Sequence, residues 1–244
     1  MSFYQYRVSL LPLFVLLAGI VVGCSSTARP QVLAPEYERG ASRGASIALL
    51  PLSSELVAAE PDTAQAENQD LQAAYFTQEG HKLYYRLFGL ELQEVAAAEV
   101  IDLSADFRPP SATFQMRTLP VPSGDSLRLP VPDGPVQVGG DPADFLLLID
   151  KLAFTPRSET VRSGNYGSPV RQDNFYITAT CQYMLWDNDA ARVAAYGTFE
   201  SETRMVDPHS RTPYEKLFEQ LAVHVINASP VPLDARFEST ATAP

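Results

Sequence analysis

The chain has 244 residues, with 29 acidic side chains against 18 basic ones and a formal net charge of -11. This balance argues against a nucleic-acid-binding protein and against a polybasic membrane-binding face. Beyond its N-terminal region the chain keeps about 200 residues, which is enough for one hydrophobic core, so a single domain is expected.

The N-terminal segment has the layout of a secretion signal. One positive charge, Arg7, precedes an apolar run of 15 residues at positions 8–22. A membrane-spanning helix needs roughly 20 apolar residues, whereas a secretory signal needs fewer and ends at a small residue, here Gly23. We therefore predict that residues 1–23 are a cleaved signal peptide.

The end of this segment and the residues after it, VVGC at positions 21–24 and then SS, resemble the lipobox of bacterial lipoproteins. In that family the cysteine is acylated and becomes the first residue of the mature chain. The resemblance implies that acyl chains on Cys24 hold the protein on a membrane, and that Ser25, where an aspartate is absent, favours the outer membrane, facing the periplasm. The alternative is an ordinary buried cysteine in an uncleaved anchor.

Residues 24–45 are rich in Ser, Ala, Arg, Gly and Pro, a composition typical of a flexible tether. The ordered domain is expected to begin at SIALLPL, residues 46–52, whose short apolar run indicates a buried strand. A helix is predicted over residues 70–88, with Gly89 placed to end it. The next stretch, residues 90–101, suits a strand as well as a helix.

Residues 108–142 form a proline-rich insert in which LPVP occurs twice. Proline has no amide hydrogen to donate to a sheet, so extended edge strands or polyproline-like segments are expected. The main prediction is a surface hairpin that closes one edge of the sheet. The alternative is a partner-binding arm, whose extended prolines would dock in an aromatic groove.

The second half of the chain predicts three strands and a helix. Residues 145–154 are apolar on both faces, as in a central strand, and residues 175–186 alternate, which places Cys181 in the core. WDNDAAR then turns the chain into a further strand at residues 192–202, giving a long antiparallel hairpin. The last helix begins at a capping box and is predicted to bury Tyr214, Leu217, Phe218, Leu221, Ala222 and Val225.

This order of elements predicts an α/β fold of the α+β type, a single mixed sheet over residues 46–228 with helices packed mainly on one face, followed by a flexible tail at residues 229–244. The layout is similar to periplasmic lipoprotein domains, such as the auxiliary lipoproteins of ABC transporters and the lipoproteins that activate peptidoglycan synthases or assemble curli. This resemblance implies a non-catalytic envelope module that binds other proteins.

The sequence contains few patterns that could indicate catalysis or metal binding, and each of them is weak. Asp187 and Asp189 form the D-x-D spacing of some metal-dependent transferases, but between two strands this pattern predicts a turn. None of the histidines, His81, His209 and His224, stands at metal-ligand spacing. We therefore predict no catalytic residue, no metal site and no cofactor. The alternative is an envelope enzyme, a hydrolase or carbohydrate-active protein, whose site residues do not show in a single sequence.

Residues 155–173 join the two best-defined strands and are predicted to be a loop of 19 residues, far longer than the roughly 2 to 5 residues of a usual hairpin connection. Three basic residues against Glu159 and Asp173 give this segment a net charge of +1 on an acidic chain. Because Arg and Tyr are enriched at interface hot spots, we predict a partner-binding site formed by Arg157, Arg162, Tyr166 and Arg171. The alternative is a tolerated insertion without function.

Overall fold

The computed structural model describes residues 30–51, 78–101, 113–137, 143–163, 170–205 and 212–238. Within these ranges the chain has an α+β fold with a mixed six-stranded sheet, a separate two-stranded sheet and two helices. The strands are β1 (Gln31–Leu33), β2 (Ser46–Pro51), β3 (Glu99–Ile101), β4 (Phe114–Pro120), β5 (Ser126–Pro132), β6 (Phe145–Ser163), β7 (Val170–Asp187) and β8 (Arg192–Met205). The helices are α1 (Gln78–Val95) and α2 (Thr212–Asn227).

The strand order of the large sheet is β1-β8-β7-β6-β2-β3. β2 runs parallel to β3 and β6, while the pairs β6–β7, β7–β8 and β8–β1 are antiparallel. β2 and β6 therefore lie inside the sheet, as their apolar runs predict, because a strand buried on both faces needs apolar side chains on both.

Helices α1 and α2 cover one face of this sheet. Phe218 of α2 lies at the centre of that core, with its ring centroid 5.7 Å from Phe154 of β6 and 5.8 Å from Phe88 of α1. The predicted strand alternation is confirmed here, since Cys181 and Tyr183 of β7 are buried in the same cluster. The predicted stripe of α2 is buried or packed against this core as well.

The β4–β5 hairpin covers the opposite face. Alternate residues of β5, Leu127, Leu129 and Val131, pack against Met184 and Trp186 of β7. The predicted hairpin is therefore present, but its placement at a sheet edge is wrong, because β4 and β5 pair only with each other. The physical reason is the period-two apolar face of β5, which must be buried against another apolar surface.

The fold begins earlier than the composition of the tether predicts. β1 pairs with β8, and the amides of Gly40 and Ser42 donate to the carbonyls of Ser229 and Pro230. Residues 30–45 are therefore part of the domain, and the prediction of a flexible tether is wrong for them. The rest of that segment, with Cys24 and the predicted signal peptide, lies outside the described residues.

The C-terminal segment is also packed. Ser229 and Val231 are buried, and the Asp234 amide donates to the carbonyl of Val95 at 2.8 Å. The predicted flexible tail is therefore wrong for residues 229–238, whose backbone groups bond to segments far away in the chain. α1 likewise continues through Gly89 to Val95 because Leu92 and Val95 are needed in the core.

Candidate functional site: the β6–β7 arm

Strands β6 and β7 continue past the cores as a paired extension. Their register is unbroken from Thr155 opposite Thr178 to Ser163 opposite Val170, and β8 accompanies β7 as far as Met205 opposite Phe175. We call residues 155–163 and 170–178 the arm. The predicted irregular loop over residues 155–173 is thus wrong, since all but residues 164–169, which lie outside the described part, are strand.

Along the arm, the side chains change from buried to exposed within a few residues. Phe154 and Ile177 are still 3% exposed, whereas every side chain at residues 157–160 is exposed and Phe175 is 42% exposed. Polar residues on both faces remove the apolar alternation that identifies a half-buried strand. The available signal was the content of Thr, Val and Tyr, which favour strands even when no core covers them.

Of the predicted site residues, Arg157 is the one whose side chain the structure describes. Its Nε and one terminal nitrogen donate to the two carboxylate oxygens of Glu202 at 3.0 and 2.9 Å. Its guanidinium lies 4.7 Å from the ring centroid of Tyr176, its register partner on β7. The hydrogen bonds from Arg157 lower the pKa of Glu202. The carboxylate therefore stays charged, and the bidentate ion pair between the two residues is kept.

The arm also brings together Arg162 and Arg171, which are register partners near its end. Tyr166 lies outside the described residues. Two residues of this site, Glu202 and Tyr176, were not predicted from the sequence. Only the strand register places them beside Arg157, and local sequence does not show the register. Asn174 of the arm likewise accepts a hydrogen bond from Arg204 of β8 at 2.6 Å.

The D-x-D motif is a turn, as predicted. Asp187 accepts hydrogen bonds from the Ala190 amide at 2.7 Å and from the Tyr37 hydroxyl at 2.6 Å, while Asp189 is exposed. Burial and the bond to Asp187 raise the pKa of Tyr37 to about 12. These contacts fasten the N-terminal segment to the β7–β8 turn. In the described ranges, no group of three or more His, Cys, Asp and Glu could hold a metal ion.

His224 of α2 has a structural role. Its Nε2 donates to the carbonyl of Thr198 at 2.9 Å, a carbonyl that β1 leaves free because Pro30, beside Thr198, has no amide hydrogen. Burial lowers the pKa of His224 to about 4, so the ring is neutral at physiological pH. Of the other two histidines, His81 lies in α1 and His209 outside the described residues.

No protein-family model matches this chain, and no curated protein matches it. The fold defines an α+β domain with a mixed six-stranded sheet, a separate two-stranded hairpin, and an arm formed by the paired ends of β6 and β7.

Proposed function

We propose that this chain is a bacterial envelope lipoprotein, held on a membrane by acyl chains on Cys24, that acts as a non-catalytic binding or assembly module for other envelope proteins. The signal-like segment and the VVGC sequence support the anchor. No helix within the described ranges has the length and apolar character that a membrane crossing requires.

The observation that carries the proposal is a stretch of paired strand in the arm, residues 157–160, whose side chains are exposed on both faces. Strand residues that bury nothing repay little of the conformational entropy lost in ordering them. Arg157 forms a bidentate ion pair with Glu202 and stacks on Tyr176. These contacts fix the charged surface in one conformation in the free protein, which lowers the entropy cost of binding a partner. Phe175, the residue before Tyr176 on β7, adds an exposed aromatic ring on the opposite face of the arm.

In this proposal the partner contacts the predicted residues of the segment, Arg157, Arg162, Tyr166 and Arg171. Arginine and tyrosine contribute strongly to protein interfaces because they combine a large contact area with directed hydrogen bonds. The partner is a protein of the envelope, and the chain itself needs no cofactor.

The test is a shortened arm. Replacing residues 159–174 with Asn-Gly joins Ser158 to Phe175, which are register partners, through a two-residue hairpin turn. We expect the domain to fold with an unchanged thermal midpoint and to lose its crosslinked partners in cells. A second variant replaces only residues 164–169 with a Gly-Ser segment of equal length; it keeps every register pair and should lose only the contribution of Tyr166 to the recovery of partners. Full recovery of partners by the shorter variant would contradict the role of the arm.

The anchor has a separate test. We expect the intact mass of the wild-type protein to show acyl chains on a chain that starts at Cys24, and a Cys24→Ser variant to be soluble or unprocessed. An unmodified mature wild-type protein would exclude the anchor.

A further inference from the structure

The β4–β5 hairpin has two outer edges, and its backbone hydrogen bonds show which residues form them. The Asp133 amide donates to the Thr113 carbonyl at 3.0 Å, and the Val121 amide donates to the Asp125 carbonyl at 3.1 Å. The odd-numbered residues therefore form the hydrogen-bonded pairs of this register. Because bonded and non-bonded pairs alternate in an antiparallel ladder, the backbone groups of the even-numbered residues point outwards, away from the partner strand.

The prolines of the hairpin block one of these edges and leave the other open. On β5 two outward residues are Pro130 and Pro132, and proline has no amide hydrogen to offer a further strand. On β4 the outward residues include Phe114, Met116 and Thr118, which all have an amide hydrogen. Among the described residues, no strand other than β5 pairs with β4. We call this open side of the hairpin the β4 edge.

The β4 edge overhangs the large sheet. Gln115 and Arg117 lie opposite Val131 and Leu129 of β5. These two β5 side chains are buried against the large sheet, and opposite residues of a strand pair share a face. Gln115 and Arg117 are nevertheless exposed, so the described core does not extend beneath them. Met116, on the other face, is 48% exposed. A further strand therefore has room beside β4.

We propose that the β4 edges of two copies of this chain pair with each other in an antiparallel dimer. Most homo-oligomers have two-fold symmetry, which needs a patch that complements itself. With the axis at Met116, that residue pairs with its own copy, and Phe114 pairs with Thr118 of the second copy. The outward amides and carbonyls of all three residues then meet, and Gln115 stands opposite Arg117. An axis at Arg117 would instead oppose two arginines, which is unfavourable.

Charge also favours a second copy at this place. Residues 113–137 contain two arginines and two aspartates, so the hairpin is neutral on a chain of charge -11. Two acidic copies repel each other least where the local charge is lowest. The contact is small beside the roughly 1,200 to 2,000 Å² of a stable interface, so we expect a weak dimer. This surface is separate from the arm, and the pairing does not depend on acylation of Cys24.

Cysteine crosslinking of the full-length protein, purified in detergent, tests this register. Met116→Cys places two thiols on the two-fold axis, where paired Cα atoms lie about 5.5 Å apart, within reach of a disulfide. Thr118→Cys is the matched control, because its two thiols would be about 14 Å apart along the strands. Both side chains are exposed. The wild-type protein gives the background from Cys24, while Cys181 is buried and burial raises its thiol pKa.

We expect mild oxidation to convert Met116→Cys into a covalent dimer and to leave Thr118→Cys monomeric, as the wild type. A further variant, Met116→Pro, removes the central outward amide, which the β4–β5 ladder does not use. This variant should keep its thermal midpoint and lose the dimer that sedimentation detects in the wild-type protein at high concentration.

Equal crosslinking at positions 116 and 118 would contradict the proposed register. Absence of a dimer in both sedimentation and crosslinking would exclude the pairing altogether, and so would an unchanged dimer in Met116→Pro. Crosslinking of Met116→Cys in cells to a different protein, with no dimer, would overturn the second copy in favour of an extended segment of that protein.

Discussion

The same two strands, β6 and β7, pass through two different environments. Near their paired ends beside the turn, Leu147 and Leu148 of β6 point to opposite faces and both are buried, one under the helices and one under the β4–β5 hairpin. In the arm, residues 157–160 are exposed on both faces. Strand geometry is therefore maintained by burial at one end, and at the other by backbone pairing and cross-strand contacts such as Arg157 with Glu202.

The largest difference between the two regions should appear on truncating a buried side chain. Leu147 is fully buried, and Leu147→Ala should lower the free energy of unfolding by about 3 kcal/mol through lost burial and a cavity. Thr155→Ala, in the exposed part of the same strand, should change it by less than about 0.5 kcal/mol. Urea unfolding followed by the fluorescence of Trp186, the single tryptophan, measures both, and equal effects would contradict the comparison.

The second prediction concerns His224 of α2, which links this helix to the sheet through its hydrogen bond to Thr198 of β8. Burial lowers its pKa from 6.5 to about 4, so in this window the unfolded chain binds a proton that the folded chain does not. The free energy of unfolding should therefore fall as the pH falls from about 6.5 to 4, by about 3 kcal/mol at most.

His224→Gln is the control for this pH effect, because it keeps a side-chain donor near Thr198 and removes the titration. Unfolding is measured for both proteins across the pH range, and the difference isolates His224 from the other histidines and the carboxylates. If the free energy of unfolding falls equally with pH in both proteins, burial of the His224 ring does not determine the pH dependence between about 6.5 and 4.

The third prediction tests the close packing around Gly197 of β8, where β1 pairs with that strand. A Cβ at Gly197 would lie 2.8 Å from the Tyr183 hydroxyl oxygen and too close to the carbonyl of Pro30. Gly197→Ala should cost about 2 kcal/mol by overpacking and loosen β1, which limited proteolysis would detect. Gly89→Ala meets nothing within 4 Å and should stabilise α1 by up to about 1 kcal/mol. The same sign for both would be inconsistent with this packing.

The smallest expected effect on stability is in the arm. Arg157→Lys keeps the charge but loses the two-pronged bond to Glu202 and the stacking on Tyr176. Because these groups are exposed, the thermal midpoint should hardly move, while recovery of crosslinked partners should fall. Arg128→Lys, on the exposed side of the β4–β5 hairpin, is the matched control. A marked loss of stability in Arg157→Lys would show that the arm is held together chiefly by this one side chain.

Much of the fold was predictable because burial produces a period in the sequence. The apolar runs of β2 and β6, the alternation around Cys181 and the capping box of α2 all depend on neighbours within a few residues. The arm has polar residues on both faces, so it shows no such period. The described N- and C-terminal segments, residues 30–45 and 229–238, have scattered apolar residues without a regular period, and they are ordered through core contacts such as that of Val231 and bonds such as Gly40 to Ser229.

The sequence by itself determined which segments form buried strands and helices, and it carries the signal and VVGC pattern on which the proposed anchor rests, because both depend on residue types along a short stretch. Only the tertiary structure decided that the proline-rich hairpin covers a face, that Arg162 stands opposite Arg171, and that Glu202 meets Arg157 across 45 residues. Those pairings follow from strand register, which the packing of whole elements sets and which local patterns do not encode.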